Sequence, residues 1–259
     1  ADGEVKVTAE GGAEIDAFPF IGTPTVLVTG AGSTWTVGGF GLAVGGGSTG
    51  GPGLLTISNG GTVNVTGLTT IGDFDNGSST LTVTGAGSVL NAFAGLAVGD
   101  AGCGCDPVGA LTIADGGVVN SPGPTLIDAG GTLNLGIGSL AGSIVTPAIV
   151  NDGRIAANFT DTLTLAANIS GTGTLSKAGA GTLILTGNNS YAGGTTVTGG
   201  FINFNSATSF GTGPISIDGG GLQWATGNAA DISSQLAAFG TGGATFDTNG
   251  NNATLAGAI

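Results

Sequence analysis

The sequence predicts an all-β chain wound as a right-handed parallel β-helix with three short strands per coil. Three observations carry that expectation: a composition hostile to helices, a long internal repeat, and apolar-x-apolar triplets recurring at nearly constant spacing with glycines beside them.

The composition comes first. Of 259 residues, 56 are Gly, 7% are charged, and Met and His are absent. Glycine disfavours a helix interior by about 1 kcal/mol relative to alanine, and the strong helix formers Glu, Lys, Gln and Arg are nearly missing. With only 8 Pro, no strict three-residue glycine period, and 40% apolar residues in short runs, the chain is neither collagen-like nor a disordered linker. It is long enough to bury a substantial core.

The net charge of −13 rests on 16 acids against Lys6, Arg154 and Lys177. No basic surface exists to meet phosphates, so nucleic-acid binding is excluded and anionic membranes are disfavoured. No apolar run reaches the roughly 18 residues of a spanning helix, so direct membrane insertion is not expected. Ala1 to Glu10 lacks the basic-then-apolar opening of a signal peptide, and the chain without an initiating Met is expected to be a processed or excised piece.

The repeat sets the architecture. Thr25 to Val65 matches Thr80 to Ser121, and each unit halves again. Val26-Leu27-Val28, Leu55-Thr56-Ile57, Leu81-Thr82-Val83 and Leu111-Thr112-Ile113 are successive versions of a first strand, nearly evenly spaced along the chain. Period-two alternation puts the outer two side chains of each triplet on one face. Val63-Asn64-Val65 and Leu133-Asn134-Leu135 read as second strands. Ala43-Val44-Gly45, Thr70-Ile71-Gly72 and Ala97-Val98-Gly99 read as third strands ending in glycine. Coils stacked about 4.8 Å apart then align Leu, Ile and Val into interior columns. The expected organisation is an opening coil or cap over 1–24, coils of near-constant length with T-loops over 25–135, and a continuation over 136–259.

Segments Gly45 to Gly53, Gly72 to Ser79 and Gly99 to Gly109 vary most, and all follow a third strand. They are expected to project from one side as T-loops, where repeat proteins place binding surfaces.

From Ile149 onward the repeat changes. Ile169 to Val197 (ISGTGTLSKAGAGTLILTGNNSYAGGTTV) resembles the autotransporter-associated β-strand repeat, and flanking IVNDGRIAAN, FGTGPISIDGGGLQW and FDTNGNNATLAGAI agree with it. TLAANI (Thr164 to Ile169) recurs as TLAGAI (Thr254 to Ile259), so the chain is expected to stop where another copy would begin. The resemblance covers the chain from Ile149 to Ile259. It implies the passenger of a type V secretion system: a β-helical stalk, extracellular or on the surface of a Gram-negative bacterium, exported through a C-terminal β-barrel of the parent.

Candidate chemistry is sparse. Cys103-Gly104-Cys105 falls in the longest T-loop; a zinc site needs about four ligands and no third Cys or His exists, so a small loop disulfide is the expectation, with two free thiols as the alternative. Asp73, Asp75 and Asn76, and Asp100 with Asp106, offer oxygen ligands for calcium, but a full calcium motif needs more acids at set spacing, and ordinary polar loops with Asx turns are the favoured reading. Phe74 beside them is a candidate contact residue. Asn151-Asp152-Gly153-Arg154 reads as a turn. Thr56, Thr82 and Thr112 form an outward row broken by Leu27, a solvated β face. Phe18, Phe20, Trp35, Phe40, Phe74 and Phe93 are expected to be buried by default. The N-x-S/T triplets follow from Asn and Thr abundance.

No cofactor, catalytic residue or metal site is expected, and the chain reads as no enzyme. Without His there is no Ser-His-Asp triad, and one Arg cannot serve both an anion and a uronate chain. The leading expectation is a structural and adhesive stalk whose loops meet a surface receptor, a glycan or like molecules. The alternatives are a polysaccharide-acting β-helix enzyme using paired carboxylates and a rod that self-associates side by side or end to end.

Overall fold

The computed structural model describes residues 4–8, 13–14, 25–39, 41–45, 52–72, 78–99 and 108–257. Every pairing between the strands among them is parallel, and the strands rotate through three faces in chain order, a parallel β-helix.

The first face is a 10-stranded sheet running from Glu4–Thr8 through Thr25–Thr29, Leu54–Ser58, Ser78–Thr84, Val108–Ala114, Gly131–Leu135, Arg154–Asn158, Thr174–Ala178 and Thr195–Val197 to Ile215–Ile217. Its inward residues form two continuous columns. One reads Val26, Leu55, Leu81, Leu111, Leu133, Ile155, Leu175, Thr195, Ile215; the other reads Val28, Ile57, Val83, Ile113, Leu135, Ala157, Lys177, Val197, Ile217. All are buried. This is the period-two pattern of the triplets expressed as packing: one residue inward, the next outward, repeated at each coil.

The second face begins as a 6-stranded sheet, Ala13–Glu14 to Ser143–Val145, and the third is a 6-stranded sheet, Gly41–Val44 to Asn168–Ser170. The third strands stand where the triplets placed them, each leaving through a positive-φ glycine: Gly45 at 80°, Gly72 at 79° and Gly99 at 74°.

Two departures from the sequence reading have physical causes. Leu133-Asn134-Leu135 lies on the first face, registered on Leu111, Thr112 and Ile113, and is not a second strand. The link before it, residues 128–130, carries no T-loop, so the coil from Leu111 to Leu133 is shorter than those before it and a count by longer coils slips by one face. The short coils persist from there, stepping from Leu133 to Ile155, Leu175, Thr195 and Ile215. The second face also breaks. After Ser143–Val145 a separate 5-stranded sheet, Thr162–Leu165 to Thr245–Asp247, takes its place in the coil. At the break, Ala141 N donates to the Asp161 side chain at 2.9 Å instead of a ladder carbonyl.

The core changes character with coil length. Among the described residues the early coils are filled by aliphatics and Trp35, whereas the later ones hold an aromatic run: Phe204 stacks on Phe210 at 4.8 Å and on Trp224 at 4.9 Å, and Trp224 meets Phe246 at 6.2 Å. Such tilted pairs add about 0.5–1.5 kcal/mol each beyond area burial. Trp224 also satisfies its indole N–H on Ala230 O at 3.0 Å. Phe93 runs against the expected burial: it is 53% exposed, in the turn after Val89–Ala92. Phe18, Phe20, Phe40 and Phe74 lie outside the described residues.

Candidate functional site

The corner that joins the third face to the first is built by close backbone approach. A Cβ on Gly99 would lie 2.4 Å from Gly131 N, and one on Gly109 would lie 2.2 Å from Ile71 O. Neither distance is physically possible for a side chain, so glycine is required for adjacent coils to close there. Gly53 N donates to Ser79 Oγ at 3.2 Å along the same seam. In chain order, segments 73–77 and 100–107 fall between these seam residues. The candidate residues Asp73, Phe74, Asp75, Asn76, Asp100 and Asp106, and the pair Cys103 and Cys105, all lie outside the described residues. Among the described residues no group of three or more His, Cys, Asp or Glu is placed to hold a metal ion.

The outward row of the first face is largely polar and uncharged. Thr56, Thr82 and Thr112 are in register on the first face, preceded by Leu27 and continued by Asn134, Ala156, Ser176, Thr196 and Ser216. On the second face Asn120 donates to Asn91 and Asn91 to Asn64, both at 2.8 Å, an amide ladder that ties three coils. Asn203, Gln223 and Asp247 form its counterpart further on, each step 2.7 Å. The Gln223 amide holds the Asp247 carboxyl below the usual carboxylate range. Asp152-Gly153 is the bend between third and first faces, and Arg154 opens the next strand, its guanidinium Nη2 on Ser176 Oγ at 3.2 Å.

The stretch that resembles the autotransporter repeat has a polar interior, which the sequence reading missed. Lys177 and Thr195 are the polar members of the two first-face columns, and both are buried. Lys177 registers on Ala157, whose small side chain leaves room for the lysine stem. Its Nζ donates to Gly179 O at 2.9 Å, to Ala178 O, and to Gly199 O at 3.4 Å, and sits 4.9 Å from the Phe159 ring centroid. Burial lowers its pKa from 10.5 to about 8; the carbonyls and ring oppose this by favouring the ammonium. Tyr191, fully buried, shares a 2.6 Å hydrogen bond with Thr195 Oγ1, and burial raises its pKa.

Asn189 does what a strand would. The third sheet ends at Asn168–Ser170. In the coils beyond it the Asn189 side chain accepts from Ile169 N at 2.8 Å and donates to Ser209 O at 2.7 Å, so one amide bridges the coil before and the coil after. A side-chain amide carries the same donor and acceptor as a peptide group, which is why asparagine serves here.

Comparison with known proteins fits this geometry. The family model described as Passenger-associated-transport-repeat matches residues 175–203, the stretch that contains Lys177, Asn189, Tyr191 and Thr195. The chain is 34% identical over 226 residues to the protein named "Adhesin BmaC autotransporter" of Brucella suis biovar 1 (strain 1330). That similarity covers 81% of this chain but 6% of the relative, so the chain spans a small part of that protein's length. No solved structure matches. Residues 175–203 thus carry a passenger-associated repeat, and most of the chain is similar to a short part of a protein named as an autotransporter adhesin.

Proposed function

We propose that the chain is a structural and adhesive β-helical stalk segment of an autotransporter passenger, secreted from or displayed on a Gram-negative bacterium. The observation that carries this reading is the unbroken parallel stack on the first face, whose residues lie within a chain similar to a protein named as an adhesin. The stack supplies reach and rigidity, and the reading assigns it no reaction. Contact falls to the loops of the glycine seam: Asp73, Phe74, Asp75 and Asn76 in one, Asp100 and Asp106 in the next, the latter closed by a Cys103–Cys105 disulfide. Their partner is a surface receptor or glycan, and the parent supplies a C-terminal β-barrel for export.

The test is to display the chain, fused to an autotransporter barrel, on non-adherent cells. Adhesion to host-cell monolayers and to a glycan array is compared with a variant in which 73–77 and 100–107 are replaced by Gly-Ser linkers. Equal display with lost adhesion is expected. Undiminished adhesion by the loop variant contradicts the assignment to loops, and no adhesion by the original chain contradicts the adhesive role.

A further inference from the structure

Charge is sorted around the rod. Between Val65 and Asn189 the described ionisable residues all flank or belong to the first face: Asp115 and Asp161 at the corner towards the second face, Asp128 and Asp152 at the corner towards the third, Arg154 and Lys177 on the face itself. Asp73, Asp75, Asp100 and Asp106 fall in chain order on the same third-to-first links. The remaining corner, between second and third faces, has no ionisable residue over this stretch (66–67, 93–95, 121–124, 146–147, 166–167 and 186–188). Asp218, Asp231 and Asp247 lie in the later coils.

Large apolar side chains stand out at or beside that uncharged corner in four coils. Leu68 is 43% exposed, Phe93 53%, Leu126 40% and Val145 61%, with exposed Pro122 and Pro124 between them. They come from four successive coils, so the ridge is about 15 Å long at the spacing of parallel strands. Exposed apolar residues also stand elsewhere, Ile137 and Leu140 beside Asp115 and Asp161 and Leu54 and Val108 where first-face strands begin, but among the described residues only at the second-to-third corner do they recur in successive coils with no ionisable residue beside them.

We infer that this ridge is where a second copy of the chain packs, rod beside rod. Two rods carrying the same negative charge repel wherever their acidic corners meet. The second and third faces, only a few residues wide, hold those corners about 10–15 Å from the ridge, beyond the screening length of about 8 Å at physiological ionic strength. Ridge-to-ridge approach is therefore the side-by-side contact that avoids like-charge opposition. Both copies also share one coil spacing, so Phe93 and Val145 of one rod meet the apolar steps of the other in phase along the contact, and the Asn64, Asn91 and Asn120 ladder borders it with neutral amides.

Sedimentation velocity of the chain over a wide concentration range tests this. A concentration-dependent dimer is expected that strengthens as salt is raised from low to high, because salt screens the remaining repulsion. Phe93→Glu and Val145→Glu should each weaken dimerisation more than about tenfold, with circular dichroism and melting unchanged. Ile137→Glu is the control: Ile137 is 64% exposed but lies on the corner near Asp115 and Asp161, and this variant should dimerise like the original. A chain that stays monomeric at all concentrations overturns the inference, as does association that persists in both ridge variants or is lost equally in the control. Any of these leaves the adhesive reading of the loops to its own test.

Discussion

Replacing Lys177 by Met isolates the buried polar interior of the repeat coil. The lysine is fully buried in a column whose neighbours are Ala157 and Val197, and its pKa falls from 10.5 to about 8 through burial. The folded state thus releases the lysine proton at lower pH than the unfolded state does. Between those two values the unfolded chain binds more protons, so unfolding free energy rises with pH across the window. A difference of that size corresponds to about 3 kcal/mol: below pH 8 the buried ammonium weakens the fold, and above pH 10.5 that penalty is gone. Methionine fills a similar volume without charge, so the variant lacks the rise. At neutral pH the two effects of the substitution oppose each other. Removing the buried charge stabilises, while stranding the carbonyls of Ala178, Gly179 and Gly199 costs about 1–3 kcal/mol for each one left dry. The assay is urea unfolding followed by circular dichroism from pH 7 to 10, read as original minus variant. Subtraction removes contributions common to both chains, including Tyr191, whose raised pKa lowers stability only at higher pH. The original should gain on the variant by about 2–3 kcal/mol over the range. A difference constant with pH would show that Lys177 is not held in the interior as described.

Other perturbations follow from the same geometry. Asn189→Ala strips partners from Ile169 N and Ser209 O and should cost about 2–4 kcal/mol in urea unfolding, with Asn189→Asp recovering only the acceptor half. Leu81→Ala and Ile113→Ala, in the two inward columns, should each cost about 2–5 kcal/mol with an unchanged denaturant slope. Gly109→Ala should disrupt the seam and be detected as protease cleavage near 100–109, because its Cβ has no space beside Ile71 O. Acid should loosen the late coils: the Asp231 and Asp247 carboxyls are held low by hydrogen bonds from Ser233 and Gln223, so their contribution is present above the ordinary carboxylate range and is lost as pH falls through it. Hydrogen exchange at neutral pH and at about pH 3 should show protection falling around 223–257.

The winding was legible because it is written in local chemistry. Leu55-Thr56-Ile57 and its repeats declare a two-residue alternation, and the glycine after each third strand declares the bend. Face identity is another matter: Leu133-Asn134-Leu135 has the pattern of any strand here, and placing it required knowing that the preceding coil had lost its T-loop. Lys177 gave no sign either. Lysine belongs at the surface by default, and its burial depends on Ala157 opposite, Phe159 beneath and three carbonyls at a corner, partners spread over more than one coil. Asn189 read as one of two adjacent asparagines, and its bridge exists only because the third sheet stops one coil earlier. Phe93 stands outward where aromatic residues default to burial, and its neighbours on the ridge are assembled from four coils, invisible to any window of sequence.

The stacking itself is best tested by spin-label distances along the outward row of the first face. Thr56 and Ser176 are separated by five coil steps and Thr56 and Ser216 by seven, with every register between them fixed. Double electron–electron resonance on labelled pairs should give backbone separations of about 24 and 34 Å, growing linearly with the number of coils. Separations that fail to grow with coil number, as in a chain folded back into facing antiparallel sheets, would contradict the β-helix and the stalk built from it.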